Sequence, residues 1–344
     1  GRHLDLVLTD TRSYRSPHPI PPALNRRLGG TDRYLSPLRA VEVFDAGAQY
    51  NDGAPPDVVT IGNTEVPNVR QDQPPGTMLG ARQKRWWKET VRRSDATWMV
   101  WGHSVPTLPM RLDLGSIDPN GETVVFTTDT WDGYLHEREE LMRFVEAHDV
   151  SNFVSLSGDN HNTFAGVVSP TYRHADSESA AASALGAEFS ICGVSSPSVF
   201  QALLQAVGPD SPLRPLITAD GRVTGGQEAS LNMTFQHGAQ ASVTAANTGD
   251  AAQGLQAANP AHNSHLRYVD SRAQGIGIVT VTADGVETDM VTLPSPTDAR
   301  QAAGPTPLRT AQFRLAAREA GAPVELHGPA VSGELPFPLS ATQE

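Results

Sequence analysis

The 344-residue sequence lacks several features that mark the simplest functional classes. It has one cysteine, Cys192, so no disulfide can form within the chain, and its strand-like surroundings indicate a small core residue. No apolar run reaches the roughly 18 residues that a membrane-spanning helix needs. Basic residues are scarce as well, since 26 Lys and Arg stand against 38 Asp and Glu, a formal charge of -12. Bulk binding to nucleic acid or to an anionic membrane is therefore disfavoured, while a local basic pocket stays compatible with the composition.

Common catalytic motifs are absent too. The sequence contains no Gly-x-Ser-x-Gly elbow and no glycine-rich phosphate loop, which disfavours serine-hydrolase and nucleotide-loop chemistry. The N-terminus has neither an initiator Met nor the basic-then-apolar order of a secretory signal. We therefore expect a fragment or a processed product.

Helix-like and strand-like segments alternate in the first half of the chain. Residues 4–8 predict a buried strand. Residues 79–92 predict a helix followed by a strand over 97–101, and residues 135–147 predict a helix followed by a strand over 152–156. This order predicts an α/β fold with a parallel sheet covered on both faces. Ligands bind such sheets where the carboxyl ends of strands meet loops.

The remaining segments are less regular. Residues 16–76 are rich in Pro, Gly, Asn and Asp and predict a long excursion with little regular structure. Residues 277–282 and 286–292 flank an Asp-Gly turn and predict a β-hairpin, and residues 310–317 alternate as a further strand. From residue 328 onward we expect a Pro-rich tail that is frayed or ordered only by contact.

The Gly-Asp-Asn-His turn after the strand at 152–156 is the strongest local signal. A glycine permits a sharp turn that brings the carboxylate of Asp159 and the imidazole of His161 to one point. Carboxylate oxygen and imidazole nitrogen suit Fe, Mn, Zn or Ca, and a pair of metals can clamp both oxygens of a phosphoryl transfer. As a bare pattern, a surface turn in which Asp159 caps the next segment is an equal alternative.

His103 follows the strand at 97–101 and should lie at the same edge of the sheet. Alone, such a residue is more often a hydrogen-bonded structural histidine. Two imidazoles and a carboxylate at equivalent strand ends favour a metal site instead.

The loop at 129–134 places Asp132 and Tyr134 before a predicted helix. Capping of that helix by Asp132 with local packing of the aromatics is the favoured interpretation, and a wall of a substrate pocket is the alternative. Arg12 and Arg15 follow the first strand, where a guanidinium could hold a phosphate oxygen bidentately. A salt bridge with Asp10 explains Arg12 equally well.

His262 and His265, which lie near Asn263, form a polar cluster that loop polarity explains.

Taken together, these segments resemble the PhoD-like phosphoesterases, a branch of the metallophosphoesterase superfamily. The matching stretches fall in order along residues 4–293. They are residues 8–15, 78–80 with Gln83 and Trp86, 129–134 with Glu137 and Arg138, 157–161, 186–189 with Ser195 and Ser196, and 263–268.

The resemblance implies a β-sandwich flanked by helices and two or more metal ions, Fe with Ca, Mn or Zn. The final metal motif of the family corresponds to Gly158–His161, and His103 matches a metal histidine of the wider superfamily, where many PhoD-like proteins carry an amide. The N-terminal metal motifs of the family should precede Leu4, so we expect the N-terminal portion of the domain to be missing. The family is commonly exported, which predicts an extracellular or periplasmic location.

We therefore predict hydrolysis of phosphate mono- or diesters by metal-activated hydroxide, with a phosphoester substrate as the partner and with the missing N-terminal segment needed for completeness. A phospholipase D-type phosphodiesterase and a non-catalytic module that retains the fold are the alternatives. The catalytic part is predicted over residues 1–300, with a C-terminal strand and tail over 301–344 packing on it. The assigned residues are His103, Asp159 and His161 as metal ligands, Arg12 with Asp159 and His161 in catalysis, and Arg12, Asp132 and Tyr134 in substrate binding.

Overall fold

The structure is a computed structural model that describes residues 2–172, 183–219, 231–294 and 306–335. Within these ranges the chain has a mixed α/β architecture in which helices pack on several sheets. The predicted α/β class is confirmed.

The described strands are β1 (Leu4–Leu8), β2 (Tyr34–Pro37), β3 (Val58–Ile61), β4 (Thr64–Pro67), β5 (Trp98–Gly102), β6 (Arg111–Asp113), β7 (Thr123–Thr127), β8 (Phe153–Ser157), β9 (Thr163–Val168), β10 (Gly186–Ser190), β11 (Leu266–Asp270), β12 (Gly275–Val281), β13 (Gly285–Thr292), β14 (Arg309–Ala316) and β15 (Leu326–Gly333). The described helices are α1 (Pro22–Arg27), α2 (Leu38–Ala46), α3 (Gly80–Arg93), α4 (Leu135–Ala147), α5 (Val199–Ala206), α6 (Leu231–His237), α7 (Ala239–Thr248) and α8 (Ala251–Gln256). None of these helices has the length and apolar character that crossing a bilayer requires.

The central sheet has six strands in the order β1-β5-β8-β10-β9-β11. Its first four strands are parallel to one another, and β9 pairs antiparallel with both β10 and β11. Helices α3 and α4 precede β5 and β8 in the chain, as the alternating pattern predicts. The parallel arrangement is confirmed for these four strands.

Both faces of the central sheet are covered, and alternation along β5 shows how. Trp101 faces a core that it shares with Trp87 of α3 and Leu141 of α4. Trp98 faces the opposite side, where it belongs to a core with Phe313 of β14. The second cover is therefore the antiparallel sheet β12-β13-β14-β15 and not another layer of helices.

Strand β1 has one neighbour in the described sheet, β5. Val7 faces the helical core, but Leu6 is 54% exposed and Leu8 is 65% exposed. The prediction of a buried strand was wrong in this respect, because an apolar run shows strand propensity and does not show how many neighbours the strand has.

The segment 16–76 is more regular than its composition suggests. It contains α1, β2, α2, β3 and β4, and α2 buries Val41 and Phe44 in a core of its own with Val59. The prediction of little regular structure was wrong. The helical period of α2 spans only nine residues between Pro- and Gly-rich stretches, so a count of turn-forming residues obscured it.

The β12-β13 hairpin and strand β14 are confirmed, with Ala311, Phe313 and Leu315 buried on one face of β14. The expected tail after residue 328 is instead part of β15, which pairs antiparallel with β14, and residues 336–344 lie outside the described ranges. Because β14 pairs with β13, strands on both sides of the predicted boundary at residue 300 share one sheet. The division into two parts stays a prediction.

Two buried charged residues of the family-like segments fix the helical layer. Glu137 of α4 is 1% exposed, and its carboxylate accepts hydrogen bonds from the amides of Met78 (2.5 Å) and Leu79 (3.0 Å) just before α3. Arg138 donates to three carbonyl oxygens, including those of Thr107 (2.7 Å) and Ser169 (2.9 Å). These residues hold α3, α4 and two loops together, which is a structural role.

A buried ion pair ties the second sheet to the central one. Arg309 of β14 donates from Nε to the carboxylate of Asp270 at the end of β11 (2.8 Å), and the Asp270 side chain is fully buried. Removing one partner leaves an uncompensated buried charge. We expect Arg309→Met to lower the free energy of unfolding by about 3–5 kcal/mol.

Urea denaturation measures this loss. Arg143→Met is the control, because Arg143 is exposed and makes a surface pair with Glu139 (2.6 Å), so its cost should stay below about 1 kcal/mol. Equal effects of the two substitutions would show that the Arg309–Asp270 pair does not hold the sheets together.

Candidate functional site

The Gly-Asp-Asn-His turn connects β8 to β9 at the carboxyl end of the parallel strands. Asp159 and His161 have left-handed backbone conformations, with φ of 65° and 55°. Asp and His visit this region more readily than most residues, but it still costs free energy, and such positions cluster at functional sites. The turn exposes both side chains.

The His161 ring has a defined orientation. Its Nδ1 lies 2.6 Å from the carbonyl oxygen of Pro197, in the loop after β10, and a carbonyl can only accept, so Nδ1 carries the proton. In the neutral ring, Nε2 is then the nitrogen with a free lone pair, and no described residue hydrogen-bonds to it. This tautomer is the one that histidine metal ligands adopt when a carbonyl holds the other nitrogen.

Asp159 contacts Arg12. The Arg12 guanidinium donates from one amino group to Asp159 Oδ2 (2.7 Å) and from the other to Asp129 Oδ1 (3.0 Å). Partial burial alone would lower the pKa of Arg12, but the two carboxylates outweigh it and raise that pKa. The alternative of a salt bridge between Arg12 and Asp10 is not what the structure shows, because the Asp10 carboxylate accepts instead from the backbone amides of Arg12 (2.8 Å) and Ser13 (2.9 Å).

Asp129 is the centre of a basic cluster that we call the Asp129 cluster. Its carboxylate pairs with the guanidinium groups of Arg12 (3.0 Å), Arg15 (2.7 Å) and Arg33 (3.2 Å), and His18 Nε2 lies 3.5 Å away. Partial burial raises the pKa of Asp129, but hydrogen bonds and charges from Arg15 and Arg12 outweigh it, so the pKa lies below its ordinary value. Asp129 is therefore a carboxylate anion that forms ion pairs with three guanidinium groups.

Local structure explains how the arginines after β1 reach Asp129. The turn at Asp10 is clamped by Gln83 of α3, whose side chain accepts from the Asp10 amide (2.8 Å) and donates to its carbonyl (2.7 Å). A few residues later, the carbonyl of Ser16 accepts a hydrogen bond from the Tyr134 hydroxyl (3.0 Å). The segment that carries Arg12 and Arg15 is thus held at both ends.

The pairing of β2 with β7 places Arg33 beside Asp129. β2 and β7 are antiparallel, and their register places Tyr34 opposite Thr127. Arg33 precedes β2 and Asp129 follows β7, and the Arg33 carbonyl accepts from the amide of Thr128 (2.8 Å). The sequence showed no sign of this contact, because β2 was not predicted as a strand.

His103 lies at the predicted sheet edge but points into the core. Its Nδ1 donates to the Val105 carbonyl (2.5 Å), and its Nε2 accepts from the Ser155 hydroxyl (2.7 Å). Burial lowers its pKa, which keeps the ring neutral. As placed, neither nitrogen is free, so a ligand role would require His103 to give up the Ser155 hydroxyl. The structural histidine, the alternative weighed in the sequence, accounts for this geometry.

Asp132 and Tyr134 are buried, at 4% and 0% exposed. Asp132 accepts from the Met110 amide (3.1 Å) and does not cap α4, while Thr130 caps the short 3-10 helix that precedes it. Tyr134 lies beneath the Asp129 cluster, with Arg15 at 5.9 Å from its ring centroid. As placed, neither side chain presents a pocket wall to solvent.

Glu188 of β10 is a residue whose contacts the sequence did not reveal. It is fully buried, and its carboxylate accepts from the Ser157 hydroxyl (2.6 Å) and from the amide and hydroxyl of Thr107. It therefore ties the end of β8, just before the Gly-Asp-Asn-His turn, to the loop after His103.

The cluster near Asn263 is buried and structural in its contacts. His265 lies with Nε2 2.9 Å from the Pro109 carbonyl, and Asn263 donates to the carbonyls of Arg111 (3.0 Å) and Phe235 (2.9 Å). The polar side chains of His265 and Asn263 thus form hydrogen bonds that join neighbouring segments of the chain.

In the described ranges, no three His, Cys, Asp or Glu side chains are grouped closely enough to hold a metal ion by themselves. Asp159 and His161 supply an exposed carboxylate and an imidazole with an available Nε2 on one short turn. Both donor types fit the Fe, Mn, Zn or Ca that the sequence suggested, as part of a ligand set.

Comparison with known proteins decides the family. A family model of the PhoD-like phosphatases matches residues 1–290. The chain belongs to the PhoD-like phosphatase family.

Two members of this family can be compared directly. Alkaline phosphatase D of Bacillus subtilis (strain 168) is 27% identical over 152 residues, which are 44% of this chain and 23% of that protein. A solved structure described as "Structure of PhoD" has a TM-score of 0.55 and 17% sequence identity, covering 97% of this chain and 43% of that chain. The fold is thus similar to PhoD, and the matched regions cover less than half of each relative. That this chain is the C-terminal part stays a prediction.

The position of His18 in the Asp129 cluster predicts how the free energy of unfolding depends on pH. Burial first, and then the charges of Arg15 and Arg33, lower the pKa of His18 to about 4, although Asp129 acts in the opposite direction. Between the ordinary 6.5 and about 4 the unfolded chain binds a proton at His18 and the folded protein does not, so the free energy of unfolding should fall as the pH decreases through this range.

NMR titration of the His18 ring measures the pKa, and urea denaturation from pH 7 to pH 4 measures the slope. His18→Gln should flatten the slope. A His18 pKa near 6.5 would show that the ring is not buried beside Arg15 and Arg33 as described.

Proposed function

We propose that the protein hydrolyses phosphate esters with the help of metal ions held partly by Asp159 and His161. The observation that carries the proposal is the exposed turn on which these two side chains project beside Arg12. A phosphoester needs both partners, a metal site for its reacting oxygens and a fixed cation for its remaining charge. Membership in the PhoD-like phosphatase family supports the same reaction.

The protein's own groups fit this chemistry. The carboxylate of Asp159 and Nε2 of His161 would be ligands, and the bound metals, Fe with Ca, Mn or Zn by family resemblance, would supply Lewis acidity and activate water. His161 is oriented by Pro197, and the end of β8 is held by Glu188. Two protein ligands leave further coordination positions for groups outside the described residues.

Arg12 would bind the phosphoryl group. Its two amino groups already bridge a pair of carboxylates, and this bidentate geometry suits phosphate oxygens equally well. Because Arg12 touches Asp159, a phosphate held by Arg12 would lie next to the metal-binding turn. Tyr134, which lies under Arg15, would support this surface from below, and the substrate-binding role of Asp132 stays a prediction.

The exposed edges of the central sheet and of the four-stranded sheet are consistent with a catalytic domain that is larger than this chain. Among the described strands, β1 and β12 each have one neighbour, and their exposed apolar side chains are Leu6 and Leu8 on β1 and Ile276 (45%) and Ile278 (50%) on β12. Unpaired edges of this kind are normally covered. We propose that a further part of the whole protein covers them and completes the ligand set.

A location outside the cytoplasm belongs to the same proposal. Fractionation of cells that express the natural gene tests it, since the proposal predicts activity in the periplasm or the medium.

Substitution of the turn residues tests the function. Asp159→Ala and His161→Ala in the whole protein should each lower kcat/KM for p-nitrophenyl phosphate or bis-p-nitrophenyl phosphate by more than about 100-fold, because direct ligands should matter at least as much as the groups around them. Metal content should fall in the same variants. The relative rates on the two substrates distinguish monoester from diester preference, and choline release from phosphatidylcholine tests phospholipase D-type activity.

The matched controls are Asp118→Ala and His148→Ala, which remove the same side-chain types from exposed positions elsewhere. They should retain full turnover and metal. Unchanged metal and turnover in both turn variants would refute the assignment, and a whole protein without turnover would favour the non-catalytic module.

A further inference from the structure

The Asp129 cluster brings three guanidinium groups into ion-pair contact with only two carboxylates. Arg12, Arg15 and Arg33 converge on Asp129, and Arg12 alone reaches a second carboxylate, Asp159. His18 adds no charge at neutral pH, because its pKa lies at about 4. Three guanidinium groups thus face two carboxylates, on a chain whose formal charge is -12.

This excess is accessible. The side chains of Arg12 and Arg33 are 42% and 46% exposed, whereas Arg15 is 13% exposed and packs toward Tyr134. Each exposed guanidinium uses part of its donor fork on Asp129 and keeps further N–H groups for an anion. The arrangement is fixed before any ligand arrives, since Asp129 holds the forks in place.

We infer that the Asp129 cluster is the subsite that binds the phosphoryl anion, that Arg33 is its second guanidinium beside Arg12, and that Asp129 is a positioning residue that aligns both. The inference rests on the proposed function and extends it to Arg33, which the sequence did not single out, and to a role for Asp129. Without the Asp129 carboxylate, three guanidinium groups would repel one another and take separate orientations.

The spacing of the contacts supports a shared site. Arg12 joins the Asp129 cluster to the Gly-Asp-Asn-His turn through one side chain, so an anion on the cluster lies beside Asp159. Arg33 is placed by the backbone pairing of β2 with β7 and does not depend on the Gly-Asp-Asn-His turn. Loss of Arg33 should therefore weaken anion binding and leave the turn intact.

The experiment measures inorganic phosphate as a competitive inhibitor, and KM and kcat for p-nitrophenyl phosphate, in the whole protein. Arg33→Gln should raise the phosphate inhibition constant and KM about tenfold, with kcat changed less than about twofold, because a charge-assisted hydrogen bond to the anion is lost. Arg33→Lys, which keeps the charge, should recover part of the loss. The control Arg143→Gln removes an exposed, singly paired arginine and should change neither constant.

The positioning role of Asp129 has its own readout. Asp129→Asn should weaken phosphate inhibition at least as much as Arg33→Gln, and the double variant should be little weaker than Asp129→Asn alone, since both act on one subsite. Tighter phosphate inhibition in Asp129→Asn would show that Asp129 competes with the anion, and would overturn the inference. Fully additive losses would overturn the positioning role.

The outcomes separate this inference from the proposed function. An active whole protein in which Arg33→Gln matches Arg143→Gln refutes the subsite and leaves the function standing. If the whole protein shows no turnover, the proposed function fails, and phosphate binding followed by calorimetry still tests the subsite. In that case, binding lost in Arg33→Gln supports the subsite, and equal binding in both arginine variants overturns it.

Discussion

Three guanidinium groups share the carboxylate of Asp129, and the arrangement of the candidate site depends on this shared ion pair. Like charges this close are stable together only around a common anion. The pairing fixes the segment after β1 against the loop after β7, and through Arg12 it reaches Asp159. The surface beside the Gly-Asp-Asn-His turn thereby carries positively charged groups, although the formal charge of the whole chain is -12.

A second set of contacts keeps this surface rigid. Glu137 and Arg138 on α4, Gln83 on α3 and Glu188 on β10 use buried or half-buried side chains to hold backbone groups of neighbouring loops. All four belong to the segments that resemble the PhoD-like family. In the structure their contacts are with the protein itself, which separates residues that shape the site from those that could touch a ligand.

The sequence predicted those parts of the structure that local order determines. Helix α4, the parallel strands β5 and β8, and the β12-β13 hairpin follow from periodicity and turn chemistry, and the Gly-Asp-Asn-His turn follows from a strand that ends at a glycine. Arg12 was identified as a possible phosphate contact, but its partner was misjudged. Asp10 is close in sequence, whereas Asp129 is 117 positions away and is brought near only by the folded sheet.

Burial was the other property that the sequence left undetermined. His103 stands at the sheet edge that the pattern predicts, yet the direction of its side chain depends on Val105 and Ser155. The apolar sequence of edge strand β1 predicted a buried strand, although two of its leucines are exposed. Arg33 could not be found because the strand that follows it, β2, has only four residues and ends in a proline.

Anomalous X-ray diffraction from crystals of the whole protein, grown with its metals and with phosphate, would locate both ligands relative to the Gly-Asp-Asn-His turn. We expect metal peaks at coordination distance from the Asp159 carboxylate and His161 Nε2, and a phosphate that accepts hydrogen bonds from Arg12 and Arg33. Metal and phosphate found together at a site that none of these four side chains contacts would contradict this expectation.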